Sequence, residues 1–153
     1  MSDCNLKITK RHLPHWDIEE SVYFVTFDTK AKIFSVNEIE IILTHIIEGN
    51  EKYYFIFAAV VMPDHVHIIY RAIKNYSLSR ILKGIKGASA RKINKLNNTK
   101  GSIWQSESFD RIIRDEADFN EKLNYILNNP LKKGIIDNPY NYKGLFINND
   151  MLT

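Results

Sequence analysis

Hydrophobic positions along this chain keep two different spacings. Residues 21–28 (Ser-Val-Tyr-Phe-Val-Thr-Phe-Asp) are rich in aromatic and β-branched side chains and read as a strand. Residues 53–62 and 65–71 are two further apolar, β-prone runs on either side of Pro63-Asp64. That pair suits a tight turn, because proline presets φ and aspartate can bond its own backbone, so the spacing predicts a hairpin of two mostly buried strands. Helical spacing takes over elsewhere. Ser35 and Glu38 have the separation of a capping box, Ile39, Ile42, Leu43, Ile46 and Ile47 follow at a 3.6-residue period, and Gly49 stands where a C-cap belongs. In residues 77–97, Leu78, Ile81, Leu82, Ile85, Ile93 and Leu96 fall on one face of a second helix. Residues 97–102 are loop by composition. Over 107–114, Phe109, Arg111 and Ile113 alternate with Ser108, Asp110 and Ile112, as in a fourth strand. Asp115-Glu116 then opens a third helix, expected to run to about Asn128 and to be stopped by Pro130. The order β-α-β-β-α-β-α is that of an α+β, ferredoxin-like split βαβ: four antiparallel strands, helices on one face, and an added C-terminal helix. Residues 131–153 show no strong period.

Composition adds bounds rather than a function. With 153 residues, 44% hydrophobic and 25% charged, the chain suits a single domain with a proper core. The apolar run at 53–62 is far too short to span a bilayer, and no signal-peptide pattern opens the chain. A lone cysteine, Cys4, excludes an internal disulfide framework and fits a cytoplasmic protein. The net charge of +3 is modest, but its distribution is not even. The second helix carries six basic residues, Arg80, Lys83, Lys86, Arg91, Lys92 and Lys95, and no acidic one. All but Lys92 lie opposite the apolar stripe, with Gly84 and Gly87 among them. Such a face is either a solvated lysine-rich surface or a phosphate-contacting one that a ligand backbone approaches closely. Residues 1–20, with Lys7, Lys10, Arg11, His12 and His15, read as an ordered arm on the surface or as a basic arm on a phosphate backbone.

Two further features carry chemistry. His65 and His67 are i and i+2 on the third strand, so both imidazoles leave the sheet on one side. On the last helix, Phe119, Leu123, Ile126 and Leu127 define the apolar centre; Tyr125 points roughly 145° away from it, with Asn129 about 40° from Tyr125 and one turn on. Taken singly, a His-x-His pair can be coincidence and an off-core tyrosine can be a surface residue. Together, two imidazoles and an amide oxygen make a three-ligand site with open positions, and such a mixed nitrogen and oxygen set used with phosphates suits Mg²⁺ or Mn²⁺. A tyrosine hydroxyl beside that site could attack a phosphodiester, leaving a phosphotyrosine and a free 3′-hydroxyl. Single-stranded DNA fits such a reaction, with bases stacked on aromatics and a backbone tracking a basic groove.

The motifs resemble a known family. Met62-Pro63-Asp64-His65-Val66-His67-Ile68-Ile69 looks like the HUH motif of single-tyrosine transposases. Ile103-Trp104-Gln105 followed by residues 109–115 resembles the block downstream of their basic helix. Residues 125–134 resemble the tyrosine helix of the REP-associated tyrosine transposases, and the likeness runs from about residue 10 to 145. It implies metal binding by His65 and His67, a third ligand at Asn129, a nucleophile at Tyr125, and action on hairpin DNA with a single-stranded foot. Asn129 favours the REP-associated branch, which implies a monomer, where insertion-sequence relatives place glutamine and form dimers. The stretch Tyr140-Asn141-Tyr142-Lys143-Gly144 departs from the Trp-Ser-Ser-like pattern common in the family. The alternatives are a domesticated hairpin-binding protein without turnover and an RNA-binding ferredoxin-like module. The first would tend to lose its site residues, and the second leaves Tyr125 and Asn129 unexplained.

Overall fold

A computed structural model describes residues 21–134 and 137–152. Its elements are β1 (Val22–Asp28), α1 (Val36–Glu48), β2 (Tyr54–Val61), β3 (His65–Ala72), α2 (Leu78–Asn97), β4 (Phe109–Ile113), α3 (Glu116–Lys132), β5 (Leu145–Ile147) and α4 (Asn149–Leu152). The strands form one antiparallel sheet in the order β4-β1-β3-β2-β5. Its first four members have the split βαβ order expected, and β5 extends the sheet by a fifth strand at the β2 edge.

Alternation along the central strands divides the core in two. Val25, Phe27, Ile56, Ile68 and Tyr70 face α1 and α2, whereas Val22, Phe57, Val60 and Ile69 face the α3 side with Phe119, Leu123 and Ile126. The two crossover helices therefore share one face, and the tyrosine helix covers the other. Local signals act as read: Ser35 and Glu38 form a reciprocal capping box, and Gly49 caps α1. A β-carbon at Gly49 would enter the ring of Tyr54, whose hydroxyl donates to the Ile46 carbonyl at 2.6 Å. Proline 130 does not stop α3, which runs through it to Lys132. Proline removes one ladder donor, but only two residues follow before the helix ends, and buried Leu131 holds that last turn down.

The tail is built onto a bulge. The β2–β3 register shifts between Ile56 and Ala58, and Asn148 covers the irregularity, its backbone N–H donating to Phe57 O and its side-chain amide to Ile56 O, both at 2.9 Å. Tyr142 donates to Val61 O at 2.7 Å, and Val61 N–H donates to Gly144 O at 2.8 Å. A side chain at position 144 would collide with that Val61 carbonyl oxygen, so glycine is what lets the segment lie against β2.

The hairpin turn is fixed from outside as well. Met62 N–H donates to His65 O, Thr29 N–H to Asp64 O and Phe34 N–H to Pro63 O, at 2.7–2.9 Å. Strand β3 is thus held between β1 and β2 with both ends pinned, and its first residues are the two histidines.

Candidate active site

Register sets the site. Thr26 of β1 lies opposite His67 on one side and Phe109 of β4 on the other. Directly paired residues project from the same face, so His67, Thr26 and Phe109 form one row across three strands. The face is that of α3. His65 and His67 have ring centroids 4.8 Å apart, and Phe24 stacks on His67 at 5.4 Å. From α3, Tyr125 meets His67 edge-on at 5.1 Å and Phe24 at 6.1 Å. Asn129 lies one turn further along, buried at 6% exposure, while Tyr125 keeps 46%. Tyr125 thus points away from the apolar core yet does not face bulk water alone: it lies over the histidine end of the sheet.

Each imidazole is oriented by a partner at Nδ1. The Thr26 hydroxyl lies 2.7 Å from Nδ1 of His67, and an Asp64 carboxylate oxygen lies 2.7 Å from Nδ1 of His65. The Asp64 carboxylate can only accept, so the proton of neutral His65 sits on Nδ1 and its Nε2 carries a free lone pair. The Thr26 hydroxyl can accept from Nδ1 of His67 and allows the same tautomer there, the one a metal ligand needs. Burial, with the neighbouring His65 charge second, holds the His67 pKa down at about 3, so its ring is neutral. Two buried polar atoms here have no hydrogen-bond partner among the described residues, Nε2 of His67 and Oδ1 of Asn129. An unpaired buried acceptor costs about 1–3 kcal/mol, a penalty that binding a cation would remove. The donor set of two imidazole nitrogens and an amide oxygen therefore fits a divalent cation.

In front of Tyr125 and His67 opens a cleft of about 680 Å³, lined also by Phe24, Thr26, Phe109, Glu121 and Lys122. Lys122 is one turn before Tyr125, largely buried, and paired with Asp118 at 3.3 Å and Glu121 at 3.2 Å. The stripe Lys122, Tyr125, Asn129 lines α3 at helical spacing.

The basic residues of α2 occupy the other layer, because α2 packs on the opposite face of the sheet. Arg80, Lys83, Arg91 and Lys95 are exposed there. Arg80 lies over the Tyr76 ring, which meets Tyr53 edge-on at 5.1 Å. Gly84 has open space around it and Gly87 only the Arg91 guanidinium, so a ligand could approach closely at both. Lys86 differs, since its ammonium donates to the Gln105 and Glu107 carbonyls, tying α2 to the segment before β4, and burial lowers its pKa. Lys10 and Arg11 lie outside the described residues. Thr26, Asp64, Phe24 and Lys122 were not marked by the sequence patterns. The signal for Asp64 was its place directly before His65, where it was read only as a turn residue.

His65, His67 and Tyr125 thus converge on one face of the sheet, and the basic helix α2 packs on the other. The profile of the family described as "Transposase IS200 like" matches residues 22–129, and the chain belongs to that family. It is 28% identical over 98 residues to a Haemophilus influenzae protein described as a REP-associated tyrosine transposase, a match covering 57% of this chain. The chain spans about half the length of that relative, 56%. Among solved structures it resembles a REP-associated tyrosine transposase bound to a REP hairpin, with a TM-score of 0.71 and 20% identity over 87% of this chain and 80% of that one. It also resembles a transposase of Deinococcus radiodurans, with a TM-score of 0.51 and 22% identity over 76% of this chain and 95% of the other. At these identities the likeness to the solved structures is one of fold.

Proposed function

We propose that this protein nicks and rejoins single-stranded DNA at the foot of a hairpin, with Tyr125 as nucleophile. The observation that carries the reading is Tyr125 packed on His67, whose buried Nε2 has no partner, with the unpartnered buried Oδ1 of Asn129 one helical turn after Tyr125. Tyr125 gives up its phenolic proton and its oxygen attacks phosphorus. The bond from phosphorus to the 3′-oxygen breaks, that oxygen takes up a proton, and the 5′-phosphate stays on the tyrosine. The phosphodiester energy is retained in the covalent link, so a 3′-hydroxyl can reverse the step without ATP. His65, His67 and Asn129 would hold Mg²⁺ or Mn²⁺, which supplies Lewis-acid polarisation of the phosphate. Thr26 and Asp64 fix the imidazoles that hold it.

Tyr125 packs on His67 of its own chain at 5.1 Å between ring centroids, which supports catalysis in cis and a monomer as the working unit. The exposed cations of α2, Arg80, Lys83, Arg91 and Lys95, with Lys10 and Arg11 of the N-terminal segment, are assigned to backbone contacts with the DNA.

The test is adduct formation on single-stranded hairpin DNA in the presence of Mg²⁺ or Mn²⁺. Native protein should yield a covalent protein–DNA species resistant to denaturant, and Tyr125→Phe should bind the same DNA without forming it. An adduct made by Tyr125→Phe at native rate would sink the assignment.

A further inference from the structure

A large aromatic side chain stands in the open beside this site. Phe109 is 72% exposed, the most exposed of the described phenylalanines, tyrosines and tryptophans. It stands on β4, one of the two outer strands of the sheet. An open apolar ring on an edge strand runs against the usual protection of edges by charge. Isolated exposed hydrophobics need no explanation, but Phe109 is not isolated: it shares a row with Thr26 and His67 and lines the cleft that holds Tyr125. Helix α3 lies mainly over β2 and β3 and buries the Val22–Ile113 pair, so at the β1–β4 end of this face only the stretch with Phe109 and Arg111 stays open. The neighbouring row on that end is Phe24 and Arg111, and Arg111 is 64% exposed at its side chain. The next residue on β4, Asp110, faces the other way, into a groove with Lys83, Lys86 and Gly87 of α2. Strand β4 is therefore the border between the basic flank of α2 and the tyrosine cleft.

We infer that Phe109 is a stacking platform for an unpaired DNA base next to the scissile phosphate, where the strand rounds the β4 edge to enter the tyrosine cleft. This inference rests on the nicking function proposed above and adds a base-binding subsite to it. A base has an apolar face for the ring and is joined to a phosphate on each side. The ring shares the cleft with Lys122 and stands one row from Arg111, both paired with Asp118, and Lys83 lies on the far side of the strand, which matches that alternation. Stacking tolerates any base, so the subsite contributes affinity and positioning rather than sequence choice.

The experiment uses the full chain carrying Tyr125→Phe, with a short single-stranded oligothymidylate in which thymine is replaced by photoreactive 5-iodouracil. Irradiation followed by peptide mapping should place the crosslink on Phe109; crosslinks confined to Tyr53 and Tyr76 or to other residues would overturn the assignment. A second arm measures the affinity of unmodified oligothymidylate at fixed salt by anisotropy. Phe109→Ala should bind roughly ten- to a hundredfold more weakly and Phe109→Trp within about twofold of native, and an unchanged affinity for the alanine variant would count against a platform. Since Phe109 is exposed, neither variant threatens the fold. If Phe109→Ala instead dissociates a dimer with no change in DNA affinity, the ring is covered by a second copy and the inference fails. Crosslinking does not need phosphodiester cleavage. A Phe109 crosslink without any Tyr125 adduct in native protein supports the platform and removes the nicking reading, whereas adducts without the crosslink remove the platform alone.

Discussion

The two faces of the sheet treat buried polar side chains differently. On the α1/α2 face, Glu38 is 5% exposed and fully engaged: it accepts from Ser35 N–H at 2.9 Å and Asn97 at 2.7 Å and pairs with Lys32 at 3.0 Å. Ser89, completely buried, accepts from the Trp104 indole at 2.9 Å and donates to Ile85 O at 2.7 Å. The Tyr70 hydroxyl is an exception on this face, buried without a hydrogen-bond partner. On the α3 face, Nε2 of His67, on which the half-exposed Tyr125 packs, and Oδ1 of Asn129, one turn after Tyr125, are left without a partner. Both faces hold satisfied groups, Lys122 among them on the α3 face, but there the unpaired atoms belong to a histidine and an amide of the kind that ligate metals. Structure alone gives the first pattern a reason; the second has a reason only in chemistry.

That contrast can be broken most severely at His67. His67→Ala removes one of the proposed cation's nitrogen ligands and the ring on which Tyr125 packs. Covalent adducts on hairpin DNA should fall below detection at every Mg²⁺ and Mn²⁺ concentration, while the fold, followed by circular dichroism, persists. Chelating the cation from native protein should have the same effect on adducts and reverse on its return. Undiminished cleavage in either case would show that the unpaired atoms are not a metal site.

Glu38 tests the opposite face. Burial alone would raise its pKa, but the Ser35, Lys32 and Asn97 interactions outweigh that and bring it down from 4.5 to about 2. A carboxylate depressed on folding stabilises the native state fully above its unfolded pKa. That contribution is lost as pH falls from about 4.5 through 2, on the order of 3 kcal/mol in all. Glu38→Gln should therefore lower stability near neutral pH by about that amount and flatten the acid limb of a denaturation series between those values, with DNA nicking unaffected in the folded fraction. An acid limb as steep as that of native protein would mean the network is weaker than its geometry.

A smaller effect is expected at the residues that aim the ligands. Thr26→Val keeps the shape of β1 but removes the partner of His67 Nδ1. Second-layer changes of this kind typically reduce metal affinity or activity by about 10–100-fold. Titration of Mn²⁺ against adduct yield should show the loss as a shift in the metal midpoint; a lowered plateau with an unmoved midpoint would place the role of Thr26 elsewhere.

Much of this contrast was legible before any coordinates, though unevenly. The satisfied face was the more readable, because capping boxes and amphipathic stripes are local patterns: Ser35, Glu38 and Gly49 act where their spacing put them. His65, His67 and Tyr125 were also marked, by strand period, helical angle and the family motifs, and the fold brings the three together. What depended on pairing across the fold was not readable. Thr26 is one polar residue in an alternating strand until the β1–β3 register sets it against His67. Strand β5 is three residues long, too short to show a period, and its place is fixed by Gly144 meeting Val61. The helical wheel gave the direction of Asn129 relative to the apolar stripe but not its burial. A wheel contains one helix, and the surface that buries Asn129 belongs to the rest of the fold.

Asn129 gives the mildest and most discriminating test. Replacing it by leucine removes a buried, unpaired carbonyl oxygen while nearly conserving volume, and deleting an unsatisfied polar group in favour of an apolar one is neutral to stabilising. Without metal, Asn129→Leu should be more stable than native protein by about 1 kcal/mol in urea denaturation. With saturating Mg²⁺ or Mn²⁺ the order should invert, because native protein gains binding energy and the variant has lost a ligand. The same substitution should weaken nicking. A variant destabilised to the same degree with and without metal would mean that the Asn129 carboxamide serves packing alone, and the unsatisfied face would lose its chemical explanation.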